Sequence, residues 1–439
     1  MSGTITINSN DLLNAVKPQL LQMPEITQQP YSYIIWTDGT KYYAKNGSTG
    51  QIEYSDLDAS VTINYALSKI GLIGGGKIDI RRGTYILTQS LQPTSNTVIE
   101  GEGAGTILKL GDGTSIHAIY IKNASNILIS NIAFDGNSAN VGNVDSNTKS
   151  IGIYTIGNSS NILVTNCFFY NFKSHAIRPD ENTVGFHVRN SVFYNNNFWD
   201  IALCMGGPLA PDGTAYRLPG SVVGCSFIDT KGVEIAYTHD VLIANNYFRN
   251  ASIYADLSKR STIIGNTIID DRYGTSSIEI SSNSTNNLIL GNRITGTQGT
   301  GIALRSSYNL VAFNYISRGW RGIYEIGTAN YNYIYYNYVA GHSIANIVKV
   351  GANTIVKNNI GYTTENGGTA TFSGDDTTAQ FKIMHNLVST PSKIMVTPGS
   401  NDAKGTFYVT ADDTYIYVNY ATAPPTGTNN IVLYWYAEV

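Results

Sequence analysis

The feature that most constrains this 439-residue chain is a short pattern repeated along its middle. Each copy runs through apolar positions to an Asn and on to a further apolar pair. The copies are NILISNIAF at 126–134, NILVTNCFF at 161–169, FHVRNSVF at 186–193, VLIANNYF at 241–248 and TIIGNTII at 262–269. NLILGNRI at 287–294, NLVAFNYI at 309–316, YIYYNYV at 333–339 and NTIVKNNI at 353–360 continue the series. Within each copy the alternation has a period of two, which marks strands rather than helices. The recurring asparagines are Asn131, Asn166, Asn190, Asn245, Asn266, Asn292, Asn314, Asn337 and Asn358, with Cys225 taking the place in SVVGCSFI. Their spacings are 35, 24, 35, 20, 21, 26, 22, 23 and 21. A base period of 20 to 26 residues suits one coil of a stacked solenoid built from three short strands. Leucine-rich repeats share the period but need a fixed Leu framework, and here Ile, Val, Tyr and Asn fill the positions.

The asparagines read as architecture. A buried amide can bond its own turn and the equivalent Asn one coil away, satisfying backbone groups that stacking leaves open. An earlier strand in each coil aligns on Ile153, Ile177, Ile201, Val233, Ile253, Ile278, Ile302 and Ile323 as inward residues. Alternation then sets an outward column of Tyr154, Arg178, Ala202, Glu234, Tyr254, Glu279, Ala303 and Tyr324. Upstream, DASVTINYALSKIG at 58–71 reads as a short amphipathic helix able to cap the open end of the stack. After about residue 388 the repeat fails, and KIMVTPG, GTFYVT, TYIYVNY and NIVLYWYAEV read as antiparallel strands. The expected organisation is a cap or attachment segment at 1–57, a parallel β-helix at 58–388 and a small antiparallel β domain at 389–439. That last domain is a candidate for capping, oligomerisation or ligand binding.

Composition narrows the function. A formal net charge of −3 with 13% charged residues gives no basic surface for nucleic acid. No apolar run approaches membrane-spanning length, so membrane insertion is not expected. Disorder is excluded at 42% hydrophobic and 11% aromatic content. Three cysteines, Cys167, Cys204 and Cys225, make neither a disulfide framework nor a CxxC pair. The opening MSGTITINSNDLLNAV lacks the form of a secretory signal, and the scarcity of charge suits an extracellular protein or part of a virus particle.

These coils, the helix at 58–71, GGGKIDIRRGTYILTQSL and TVIEGEG resemble the single-stranded right-handed β-helix proteins of the pectate-lyase-like superfamily, phage tailspikes included. The resemblance covers roughly residues 58–388. It implies an all-β, right-handed parallel β-helix. It also implies action on, or binding of, polysaccharides by a lyase, hydrolase, epimerase or adhesive protein. Motifs of the individual reactions are missing. Asp270 and Asp271 are adjacent, as in the family's polygalacturonases, but the Asn-Thr-Asp, Gly-His-Gly and Arg-Ile-Lys elements are absent. His175 followed by Arg178-Pro179-Asp180-Glu181 is not the Asp-Pro-His-Glu motif of alginate epimerases.

Titratable residues cluster in the coils bounded by the two insertions, at 137–150 and 204–220. The cluster holds His175, Arg178, Asp180, Glu181, Asp200, Glu234, His239, Asp240, Asp256 and Glu279. Asp200 and Glu234 lie one coil apart, which would bring their carboxylates to about 5–6 Å for acid/base hydrolysis of a glycoside. In that reading Arg178 holds negative charge on the substrate. Elimination or epimerisation of uronates would instead use Arg178 or His175 as the base, with Ca2+ on acidic residues as an optional aid and no other cofactor or metal. Tyr154, Trp199, Tyr254 and Tyr324, with Asp180, Asp256 and Glu279, are the expected glycan-binding residues. A glycan-binding spike or adhesin without chemistry is the alternative to an enzyme.

Overall fold

The computed structural model describes residues 31–142, 149–180, 182–204, 220–269 and 276–439. Glu181, Asp270, Asp271, residues 1–30, residues 143–148 of the first insertion and nearly all of the second lie outside the described residues. The chain enters through an antiparallel meander, β1 (Tyr33–Thr37), β2 (Tyr42–Asn46) and β3 (Ile52–Asp56). Helix α1 (Ala59–Leu72) follows, started by Asp58, whose carboxylate accepts from the Ser60 and Val61 amides at 2.7 and 3.3 Å. Its buried face, Ile63, Ala66, Leu67 and Ile70, has the three- and four-residue spacing of an amphipathic helix and joins one core with Ile35, Ile78 and Ile99. β1 also pairs in parallel with β4 (Gly76–Ile80), Tyr33 opposite Ile78, so the meander extends the first coil's sheet.

Coils then stack with three parallel faces. On the first face the inward residues fall in one column, Ile119, Ile153, Ile177, Ile201, Val233, Ile253, Ile278, Ile302 and Ile323, each opposite the next. All are fully buried. The third face carries an internal stack of Phe134, Phe169, Phe193, Phe227 and Phe248, with near-parallel rings 4.6–5.1 Å apart. Between the second and third faces the chain turns through two consecutive positions with different demands. The first adopts left-handed backbone, as Asn131, Asn166, Asn190, Asn245 and Asn358 do at φ 57°, 54°, 47°, 55° and 55°. The second points inward. There Asn246, Asn266, Asn292, Asn314, Asn337 and Asn359 form a ladder whose side-chain amides donate to the next Asn carbonyl at 2.9–3.0 Å. Each of these amides also donates to a backbone carbonyl, from Val222 to Ile334.

Four of the recurring asparagines, Asn266, Asn292, Asn314 and Asn337, are thus rungs. The other five stand one residue earlier and serve the turn. Both positions favour Asn, so the sequence pattern slips between them at Asn245-Asn246 and Asn358-Asn359.

The antiparallel region begins at Glu365 rather than at 389. Glu365–Gly374 pairs with Gly427–Glu438, which also takes Lys393–Pro398 on its other edge. Gln380–Met384, Tyr415–Tyr420 and Phe407–Ala411 form a second sheet. The two share a core of their own that includes Phe381, Ile416, Val418, Ile431 and Leu433. The alternation of 365–388 belongs to this region because its partner strand lies some sixty residues downstream, beyond the reach of local pattern. Lys357 of the last coil clasps it through Glu438 at 2.9 Å. Among the described residues no helix is long and apolar enough to cross a membrane.

Candidate functional site

The outward column of the first face stands in the register that alternation predicts. Arg178 lies opposite Tyr154, Ala202 opposite Glu234, Glu234 opposite Tyr254, Tyr254 opposite Glu279, Glu279 opposite Ala303, and Ala303 opposite Tyr324. Ala202 and Ala303 are covered by their larger neighbours. Large polar and aromatic side chains therefore alternate with shallow steps along one face.

Asp200 does not join this column. It is 0% exposed. Its carboxylate accepts from the Asn196 amide at 2.7 Å, the Thr230 hydroxyl at 2.7 Å and the Gly232 N–H at 2.9 Å. Burial pushes its pKa up to about 7, against the opposing pull of those three donors. Asp200 holds a corner together, much as the fully buried Glu325 does through Asn332, Thr354 and the Val350 and Gly351 amides. The expected Asp200–Glu234 pair is therefore not a pair of groove-facing groups. His175 is also withdrawn, at 1% exposure with its ring edge-on to Phe198 at 4.7 Å. It does not face the groove as a base would.

What the fold does gather lies around Glu234. Its carboxyl is half-buried, and burial raises its pKa. Lys231 and Arg178 pull the other way, and Asp256 adds to the rise. Glu234 has no hydrogen bond or salt bridge with any described residue. Arg178 is bound to Asp180 at 3.1 Å, and the Tyr154 hydroxyl donates to the same carboxylate at 3.3 Å. Burial lifts the Tyr154 phenol to about 12, so it stays protonated at neutral pH. Two coils further on, Glu279 pairs with Arg305 at 2.7 Å. The indole of Trp199 stacks on Tyr254 with ring centres 5.9 Å apart, and the Arg321 guanidinium lies over Tyr324 at 4.8 Å. His239 and Asp240 serve a different corner, accepting from the Lys259 amide and from Arg260.

Two residues escaped sequence reasoning. Lys231 sits over the rings of Phe198 and Trp199 at 4.5 and 4.8 Å. Cys204 feels the charges of Glu234, Arg178 and Asp180 at once, and burial pushes its thiol up to about 12. Neither carries a motif. The nearest available signal was the aromatic pair Phe198-Trp199 one coil before Lys231.

Comparison with known proteins is consistent with this geometry at the level of fold. The family described as periplasmic copper-binding protein (NosD) matches residues 219–374, which hold the whole Asn ladder. That stretch contains one Cys, Cys225, and two His, His239 and His342. Cys225 is buried inside the coil, His239 is held by the Lys259 amide and His342 meets Asn346 at 3.1 Å. Among the described residues no three His, Cys, Asp or Glu gather, so the donor set does not fit a copper centre. No curated protein sequence matches the chain. Among solved structures, the A-module of the mannuronan C-5 epimerase AlgE6 of Azotobacter vinelandii is similar at 16% identity and TM-score 0.54, over 69% of this chain and 95% of that one. The tailspike protein of Escherichia coli bacteriophage HK620, solved with a pentasaccharide, is similar at 12% identity and TM-score 0.50, over 89% and 92%. In fold, the chain is a parallel β-helix similar to that of the C-5 epimerase A-module and of the phage tailspike.

Proposed function

We propose that this chain engages an acidic polysaccharide along the first face of the β-helix, and that Glu234 is the proton-transfer group acting on a uronate unit. The observation that carries the reading is the setting of Glu234. It is a half-buried carboxyl on the outward column, raised in pKa, without a hydrogen-bonding partner among the described residues and near two cations. A carboxyl raised above its ordinary range by burial holds a proton more readily, and can take one and return it. Removal of the proton next to a uronate carboxylate leaves an electron pair that the carboxylate can delocalise, provided cations offset its charge. Expulsion of the glycosidic oxygen at the neighbouring carbon then gives elimination, and return of a proton from the other face gives epimerisation. Tyr154 stands three coils from Glu234 on the column and is bound to Asp180, too far away to serve the same carbon, so solvent returns that proton.

Hydrolysis fits less well, because burial of Asp200 removes the carboxylate expected to partner Glu234. Tyr254 and Tyr324, half-exposed on the column, suit sugar rings in either case, whereas Trp199, expected beside them, is buried beneath Lys231 and against Tyr254.

The test is incubation with a panel of polyuronates and neutral polysaccharides in D2O. Unsaturated product by ultraviolet absorbance, deuterium at the uronate C5 position by NMR, and new reducing ends are followed together. Unsaturated ends or C5 deuterium are expected, and Glu234→Gln should lower turnover about 100-fold or more while binding persists. New reducing ends without either signal would mean hydrolysis. Binding without any product would leave a spike-like glycan receptor.

A further inference from the structure

Resting on the reading of the first face as a uronate-binding groove, we infer that Lys231, seated on the rings of Phe198 and Trp199, is the residue that recognises the substrate carboxylate. Arg178 is the obvious candidate from its place on the column, but it is committed to Asp180 at 3.1 Å, with both side chains largely buried. Arg305 is committed to Glu279 in the same way. Lys231 differs from both. It has no salt bridge with any described residue, and its ammonium is held over two ring faces at 4.5 and 4.8 Å.

A ring face attracts a cation without neutralising it and fixes its position with little entropy left to lose. The ammonium therefore keeps its capacity for a charged acceptor, and its field reaches Glu234 three residues along the chain. Trp199 is itself stacked on Tyr254, the neighbour of Glu234 in the column. One platform thus combines a sugar-stacking surface, a positioned cation and the proton-transfer group. Trp199 is only 9% exposed and serves as backing, so a uronate ring lying against the half-exposed Tyr254 would turn its carboxylate to Lys231 and offer the adjacent C–H to Glu234.

The test measures binding of a polyuronate and of its methyl ester by titration calorimetry, for the wild-type protein, Lys231→Gln and Lys231→Arg. The wild type should prefer the free acid by about tenfold or more, the worth of one charge-assisted contact. Lys231→Gln should lose that preference while its affinity for the ester stays unchanged, and Lys231→Arg should keep part of it. A merely structural lysine would weaken both polymers alike, and that result overturns the inference. So does a wild type that binds acid and ester equally, which would leave the groove itself standing. Binding of neither polymer would sink the groove reading and this inference together.

Discussion

From Phe134 to Phe248 successive coils are aligned by five stacked phenyl rings, whereas from Asn246 to Asn359 they are aligned by six stacked amides. The materials have different tolerances. A ring stack asks for volume and rough alignment, so the corner beside it accepts Ile132, Cys167, Ser191 or Cys225, and coils can lengthen. An amide ladder asks for hydrogen-bond register at every step. Its rungs follow each other after 20, 26, 22, 23 and 22 residues. Both insertions, and the cluster around Glu234, fall within or beside the phenylalanine half. The rigid ladder half instead leads into the C-terminal sheets. Variation, and with it a site, is accommodated where alignment is non-directional.

The largest effect should come from opening the ring stack. Phe193→Ala removes a fully buried ring between two neighbours and should cost about 3–5 kcal/mol, measured by chemical denaturation. Next comes the ladder. Asn314→Ala takes the acceptor from the Asn292 amide groups and a donor from the Ile289 carbonyl, and should cost about 3 kcal/mol at roughly 1–3 for each buried orphan. If Asn314→Ala proves milder than a surface substitution, the distinction between the halves fails.

A third effect is confined in pH. Asp200 has a folded pKa of about 7, above its unfolded value of about 3.9, so its contribution to stability is complete below the lower value and is lost as pH rises to the upper. Denaturation midpoints should therefore decline across that window in the wild type, and Asp200→Asn should flatten the decline. An unchanged slope in the variant would place the titration elsewhere.

The smallest effect has the opposite sign. In the ladder half the left-handed corners that elsewhere take Asn or Gly are occupied by Tyr308, Phe313, Tyr331 and Tyr336, at φ 64°, 60°, 53° and 53°. They are exposed and stacked in pairs, Tyr308 with Tyr331 at 5.1 Å and Phe313 with Tyr336 at 5.5 Å. Left-handed backbone costs a bulky residue about 1–2 kcal/mol, and such a stack returns about 0.5–1.5. Tyr336→Asn should thus raise the thermal midpoint slightly. A clear drop would mean that the outer stacks contribute more to this half than its corners cost.

Within one coil the sequence by itself was sufficient. Alternation placed Ile153 through Ile323 inside and Tyr154 through Tyr324 outside, because a strand has only two faces and a parallel stack repeats them in register. The coil period fixed the solenoid, and the Asn and Gly positions marked its corners. Tertiary structure alone decided what happens at those corners. Asp200, next to inward Ile201, looks outward by alternation, yet the chain is turning there and Asn196, Thr230 and Gly232 draw its carboxylate inside. Lys231 looks like an ordinary turn residue until the preceding coil supplies Phe198 and Trp199 beneath it. The start of the C-terminal sheets at Glu365 likewise depended on a partner strand at 427–438. Alternation is a local rule for strands, whereas burial, partners and charge at a corner depend on neighbouring coils as well as on the turn itself, as Thr230 and Gly232 join the nearby Asn196 around Asp200.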